Sequence, residues 1–129
     1  MKLPYIIIVD DDQQVLRAIH HDIRDEYREK YKVAATESPL EALELIKQLK
    51  LKNEPVALFI SDQRMPLITG VEFLEKSIVS HPETVRILLT GYTDIESVIG
   101  AVNKGQIYRY LTKPWDPVDL LNTVDQGFE

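Results

Sequence analysis

Cysteine is absent from the 129 residues, which removes disulfides and thiolate metal sites and fits a reducing compartment. Glycine is scarce at five residues. Neither G-x-x-x-x-G-K followed by Ser or Thr, nor G-x-G-x-x-G, occurs, so the two common glycine-rich nucleotide cradles are missing. No apolar run approaches the ~20 residues needed to span a bilayer. The opening Met1-Lys2-Leu3-Pro4 lacks the apolar core and small-residue cleavage site of a secretory signal. Positive charge is not in excess: 15 Lys and Arg face 21 Asp and Glu, a net −6, so a phosphate-neutralising basic stripe is not expected. Linkers, repeats and low-complexity stretches are also absent. These absences lead to the expectation of one cytoplasmic domain over residues 1–129, with no nucleic-acid or membrane partner.

What is present is a strict alternation of strand-like and helix-like runs. Ile6-Ile7-Ile8-Val9 is followed by Val15, Leu16, Ile19, Ile23 and Tyr27 at helical spacing. A second strand, Tyr31 to Thr36, precedes Ser38-Pro39-Leu40-Glu41, which reads as a capping box with proline at the first helical position. Leu43, Ile46 and Leu49 carry the stripe of that helix until Asn53-Glu54-Pro55 stops it. A third strand, Val56 to Ser61, leads through a loop containing Met65-Pro66 and Gly70 to a helix with Val71, Phe73, Leu74 and Ile78, ended by His81-Pro82. Val85 to Leu89 is a fourth strand. Thr93-Asp94-Ile95-Glu96 reads as a second capping box, and its helix closes at Asn103-Lys104-Gly105. The fifth strand, Ile107 to Thr112, precedes a last helix capped by Asp116, with Leu120, Leu121, Val124 and Phe128 facing inward.

Five strand–helix units predict an α/β fold: a doubly wound, five-stranded parallel sheet with helices on both faces, flavodoxin-like. The near-continuous apolar strands agree, since parallel strands are covered on both sides. In the order 2-1-3-4-5, the carboxyl ends of strands one and three meet at the switch point, where ligands bind. Those ends carry Asp10, Asp11 and Asp62, flanked by Thr90 and Lys113 at the next two. Three carboxylates within about 4–6 Å repel by roughly 4 kcal/mol per pair at an effective dielectric of 20. A proton or a cation must relieve them. Oxygen-only ligands favour a hard ion, and Mg2+ fits best because it accepts one or two carboxylates and keeps room for a phosphate. A free carboxylate beside it is a competent nucleophile toward phosphorus. Lys113 supplies a mobile positive charge and Thr90 a hydroxyl donor. Without a phosphate loop, the phosphoryl donor is another molecule.

Four motifs at four strand ends, in order, carry a family resemblance: Ile-Ile-Val-Asp10-Asp11, Ser61-Asp62-Gln63-Arg64-Met65-Pro66, Leu89-Thr90-Gly91 and Tyr110-Leu111-Thr112-Lys113-Pro114. Together they resemble the receiver domain of two-component response regulators, over essentially the whole chain. The resemblance implies that Asp62 is the phosphoacceptor. It implies that Asp11 binds Mg2+ directly, Asp10 mainly through water, and that Asp62 and the backbone carbonyl of Arg64 complete the protein ligands. Thr90 and Lys113 would contact the phosphoryl group. Thr90 and Tyr110 would form the switch, and Lys113-Pro114 would be a cis peptide. The implied activity is limited to the chain's own phosphorylation and dephosphorylation, not that of a conventional enzyme. The implied partners are a sensor histidine kinase or phosphotransfer protein and an output domain or downstream protein, with a homodimer as one option. The output surface would be the helix after Thr93, the fifth strand and the helix after Asp116. Arg64 and Tyr92 lie two residues past Asp62 and Thr90, where the family tunes phosphoryl lifetime. The motif wording looks like receivers joined to phosphodiesterase or NtrC-like outputs, so the chain is either a stand-alone receiver or the input domain of a longer regulator.

Helix capping accounts for Asp12 better than for Asp10 or Asp11. His20 and His21 are adjacent, so they face different sides of a helix and read as surface residues. Trp115 reads as packing near the last helix. Asp10-x-Asp12 imitates an aspartyl-nucleophile phosphohydrolase of the haloacid-dehalogenase type, but Gln14 stands where that family has Thr or Val, and Asp62 would have no role. A receiver fold used only for docking or dimerisation would not need the complete acid set.

Overall fold

The computed structural model describes residues 2–91 and 106–129. Within them run β1 (Tyr5–Val9), α1 (Gln13–Tyr27), β2 (Lys32–Thr36), α2 (Pro39–Leu51), β3 (Val56–Asp62), α3 (Gly70–Ser77), β4 (Val85–Thr90), β5 (Arg109–Thr112) and a C-terminal helix (Pro117–Phe128). The five strands form one sheet in the order β2-β1-β3-β4-β5, and every pairing is parallel. The predicted topology is thus observed. The second capping box, Thr93 to Glu96, and its helix lie outside the described residues.

Side-chain alternation along the strands divides the core into two layers. Ile7, Val9, Phe59 and Leu88 face α2 and α3, meeting Ala42, Ile46, Leu49, Phe73 and Leu74. Ile6, Ile8, Leu58, Ile60, Ile87 and Leu89 face α1 and the C-terminal helix, meeting Leu16, Ile19, Ile23, Leu120 and Val124. These strand residues are almost all fully buried, and each contributes about 1.5–3 kcal/mol of hydrophobic stabilisation. A sheet buried on both faces exposes only its edges and ends, and the carboxyl end is where polar side chains gather.

Several local expectations are refined. Ser38 caps α2 by accepting from the Glu41 N–H, but the Glu41 carboxylate takes a hydrogen bond from the Thr36 hydroxyl at 3.0 Å. That carboxylate therefore ties β2 to α2. α3 begins at Gly70, expected within the loop, behind an unanticipated capping box of Thr69 and Glu72. It ends at Ser77, ahead of His81-Pro82. β2 begins at Lys32 because Tyr31 is drawn away, stacking on Phe128 at 4.6 Å. β5 begins at Arg109, although Ile107 is buried as expected.

Arg86 is the least expected core residue, 1% exposed as the second residue of β4. Its guanidinium donates to Ser77 Oγ at 3.0 Å, to the Thr84 carbonyl at 2.6 Å and to the His81 carbonyl. Among the described residues no carboxylate pairs with it, and burial lowers its pKa to about 10. The charge sits instead at the carboxyl end of α3, where the helix dipole is negative. This one side chain holds the turn after α3 onto the sheet.

Candidate phosphoacceptor site

Each candidate residue is placed by the end of its strand. Asp10 follows β1, and Asp62 is the last residue of β3, one place beyond the Val9–Ser61 pair. Thr90 ends β4 opposite Thr112 of β5. The Lys113 N–H donates to the Thr90 carbonyl at 2.8 Å, so the ladder continues one residue further and fixes the start of the lysine. The peptide between Lys113 and Pro114 is cis, as the resemblance implied.

The side chains then converge. Oxygen atoms of Asp10, Asp11 and Asp62 all lie within 4.8 Å of one another. Lys113 Nζ is 2.7 Å from Asp62 Oδ1 and 3.4 Å from Asp10 Oδ2. The other Asp10 oxygen accepts from the Asp12 N–H at 2.9 Å. Asp12 itself points to α1, accepting from the Gln14 and Val15 N–H groups at 2.9 and 3.3 Å. Capping therefore explains Asp12. Asp10 is fully buried, Asp62 nearly so, and Asp11 is exposed.

Burial dominates the electrostatics. It raises the Asp10 pKa to about 6, with the charge of Asp62 adding, against the opposing Asp12 N–H and Lys113. Asp62 is also raised, first by burial and then by Asp11, while Lys113 and the Gln63 N–H pull it back. Burial alone would lower Lys113, but the hydrogen bonds and charges of Asp62 and Asp10 outweigh it and hold the ammonium above its ordinary value. One lysine does not balance the cluster. An Asp10 carboxyl that keeps its proton up to about pH 6 is the sign of a site short of positive charge, and the hard oxygen donors of the cluster fit Mg2+.

Thr90 is fully buried, and its hydroxyl donates to the Gly91 carbonyl at 3.4 Å. Tyr110 is 37% exposed on the outward side of β5. Trp115 packs partly on the layer of α1 and the C-terminal helix. It also lines, with Gln14, Val15 and Pro114, an apolar groove of about 430 Å³ beside Lys113. His21 is exposed and 3.3 Å from Asp25, while His20 is half-buried, so neither histidine belongs to the site.

Two supporting residues escaped the sequence reading. A Cβ on Gly70 would lie 2.1 Å from the Asp62 carbonyl oxygen and 2.7 Å from Leu88 Cδ1. Only glycine lets α3 start against the end of β3. Gln63 takes the Gly70 N–H on its carbonyl and the Val71 N–H on its side chain, both at 3.0 Å. The signal was there for the capping box, as Thr69-x-x-Glu72. For Gln63 and Gly70 it was not, because both depend on contacts between elements.

Comparisons with known proteins point to one family and one fold. The family model of the response regulator receiver domain matches residues 6–125. The hydrogenase transcriptional regulatory protein HoxA of Cupriavidus necator is 40% identical over 124 residues, which is 96% of this chain and 24% of that protein. The chain thus spans about a quarter of the length of this relative. The signal receiver domain of an HD domain-containing protein from Pseudomonas fluorescens Pf-5 superposes with a TM-score of 0.83 at 32% identity, covering 99% of this chain and 88% of that one. A CheY-like receiver domain protein from Methanospirillum hungatei JF-1 gives 0.82 at 31% identity, covering 98% and 94%. The chain belongs to the receiver-domain family of two-component response regulators.

Proposed function

We propose that Asp62 is the residue that accepts the phosphoryl group. Receiver domains bind Mg2+ at an acidic pocket and interact with histidine kinases and output domains. The observation that carries the assignment here is the Lys113 ammonium, 2.7 Å from Asp62 and in reach of Asp10. It marks Asp62 as the carboxylate already facing a phosphate-binding cation.

In this reading Asp10, Asp11, Asp62 and the Arg64 carbonyl hold Mg2+. When bound, Mg2+ supplies positive charge for the equatorial oxygens of the phosphoryl group. An Asp62 oxygen attacks phosphorus of a phosphohistidine on the kinase or phosphotransfer partner. The O–P bond forms as the P–N bond breaks, and the imidazole leaves. Lys113 then exchanges its carboxylate partner for a phosphoryl oxygen, and the Thr90 hydroxyl donates to another. The same residues serve hydrolysis of the acyl phosphate, so the chemistry is confined to the domain's own modification.

The reading extends to output. Withdrawal of the Thr90 side chain toward the phosphoryl group vacates space that Tyr110, now half outside, can enter. This carries a charge change at the strand ends to the β5 face. The partner there is an output domain or downstream protein, or a second copy of the chain. The length of HoxA, a transcriptional regulator of which this chain matches a quarter, favours an output domain.

Acetyl phosphate with Mg2+ tests the proposal. Intact mass should rise by one phosphoryl group, about 80 Da, in the native chain and not in Asp62→Asn. The same gain in the variant would place the nucleophile elsewhere.

A further inference from the structure

We infer that Gln63 is a positioning residue of this site, holding the loop after Asp62 in the form that presents the Arg64 carbonyl to the metal. The inference rests on the ligand set proposed above. Gln63 is bonded on three sides. Its N–H donates to the Leu89 carbonyl of β4 at 3.0 Å. Its carbonyl accepts from the Gly70 N–H and its Oε1 from the Val71 N–H, each at 3.0 Å. These two donors open α3 and have no partner within the helix. A single residue therefore clamps both ends of the segment from Arg64 to Thr69.

That segment needs a clamp. Leu67 has φ of 76°, and the Ile68 N–H reaches back to the Pro66 carbonyl at 2.9 Å. The result is a three-residue turn of the rare positive-φ kind, unfavourable for a bulky side chain. Such conformations persist only where the surroundings over-determine them. Leu67 is largely exposed, so packing does not hold it. The constraint comes from the loop's ends, and Arg64 follows the clamping residue directly.

The role is separable from helix capping. The Thr69 hydroxyl accepts from the Glu72 N–H at 3.2 Å, and the Glu72 carboxylate accepts from the Thr69 N–H at 3.1 Å. Gln63 takes a different donor, Val71. Removing the Thr69 cap weakens the start of α3 but leaves the Gln63 clamp in place. Removing the Gln63 acceptor strands the N–H of a buried residue, which favours loop conformers that release it. Metal affinity then falls by the fraction of chains that remain competent.

Magnesium titration of the complete chain by calorimetry, with urea midpoints and Val71 amide exchange, tests this. Gln63→Leu should weaken Mg2+ binding about fivefold and speed exchange at Val71. Gln63→Asn, too short to reach, should do the same and substitutes for the leucine variant if that fails to fold. Gln63→Glu offers the same acceptor at a helix N-terminus and should restore affinity to within about twofold. Thr69→Ala should lower the urea midpoint yet leave Mg2+ affinity unchanged. Native-like affinity in Gln63→Leu and Gln63→Asn, no rescue by Gln63→Glu, or an equal loss in Thr69→Ala would each overturn the inference. Failure of the native chain itself to bind Mg2+ would instead refute the site on which it rests.

Discussion

The Lys113 ammonium and Asp62 Oδ1 lie 2.7 Å apart, with Asp10 Oδ2 at 3.4 Å from the same nitrogen. One lysine thus occupies the place of a cation within the acid cluster. Lys113→Met should lower the stability of the metal-free fold by about 1–3 kcal/mol, because two buried carboxylates lose their partner. Mg2+ affinity should rise several-fold in the same variant, since a competing positive charge is gone. Urea titrations with and without Mg2+ measure both effects. A variant that loses stability and metal affinity together would show that Lys113 organises the site rather than competing within it.

Gly70 predicts a purely steric effect. A methyl group there meets the backbone of Asp62, which cannot rotate aside. Gly70→Ala should cost about 3 kcal/mol by denaturant unfolding. At Gly91 an added Cβ meets nothing within 4 Å, so Gly91→Ala should cost far less. Equal effects at the two positions would remove the argument that α3 must start in contact with β3.

The pH dependence follows from Asp10, whose pKa is raised to about 6 by burial, against about 3.9 in an unfolded chain. Between those values the folded state keeps a proton that the unfolded state has released. Metal-free stability therefore falls as pH rises from about 4 to about 6, by on the order of 2–3 kcal/mol, and levels off above. Mg2+ binding runs the other way, because the ionised carboxylate is needed, so affinity is lost as pH falls through about 6. Calorimetry in buffers of different ionisation enthalpy should detect proton release on binding near pH 6. Binding with no proton release there would mean that Asp10 is already ionised.

Thr90 and Tyr110 test the switch. Thr90→Ala should still accept the phosphoryl group at Asp62, yet lose the amide-shift changes at Tyr110 that a phosphate mimic causes in the native chain. A contribution of about 2–3 kcal/mol from the hydroxyl is enough to move a 1:10 mixture to mostly active. Full native shifts at Tyr110 in the variant would rule out a hydroxyl-driven switch and leave the phosphoacceptor untouched.

Much of this was legible because periodicity and strand-end chemistry are local signals. Apolar strands, helix stripes and the alternation of units point to a parallel sheet with few possible topologies, and in the order 2-1-3-4-5 the ends of the first and third strands bring Asp10, Asp11 and Asp62 to one place. Residues whose role depends on a neighbouring element were not legible. An arginine inside a strand reads as half-exposed. Arg86 is buried because the carboxyl end of α3 and two carbonyls surround its guanidinium. Gln63 reads as a polar loop residue until α3 is placed beside it. Tyr31 has the composition of a strand residue, but Tyr27 and Phe128 offer it a better aromatic contact.

The account stands most directly on where the phosphoryl group goes. Borohydride reduction of the chain after treatment with acetyl phosphate and Mg2+ converts an aspartyl phosphate to homoserine, which peptide sequencing by mass spectrometry can locate. The expected result is homoserine at position 62, absent without Mg2+ and absent in Asp62→Asn. Modification at Asp10 or Asp11 in the native chain, or none at all, would contradict it.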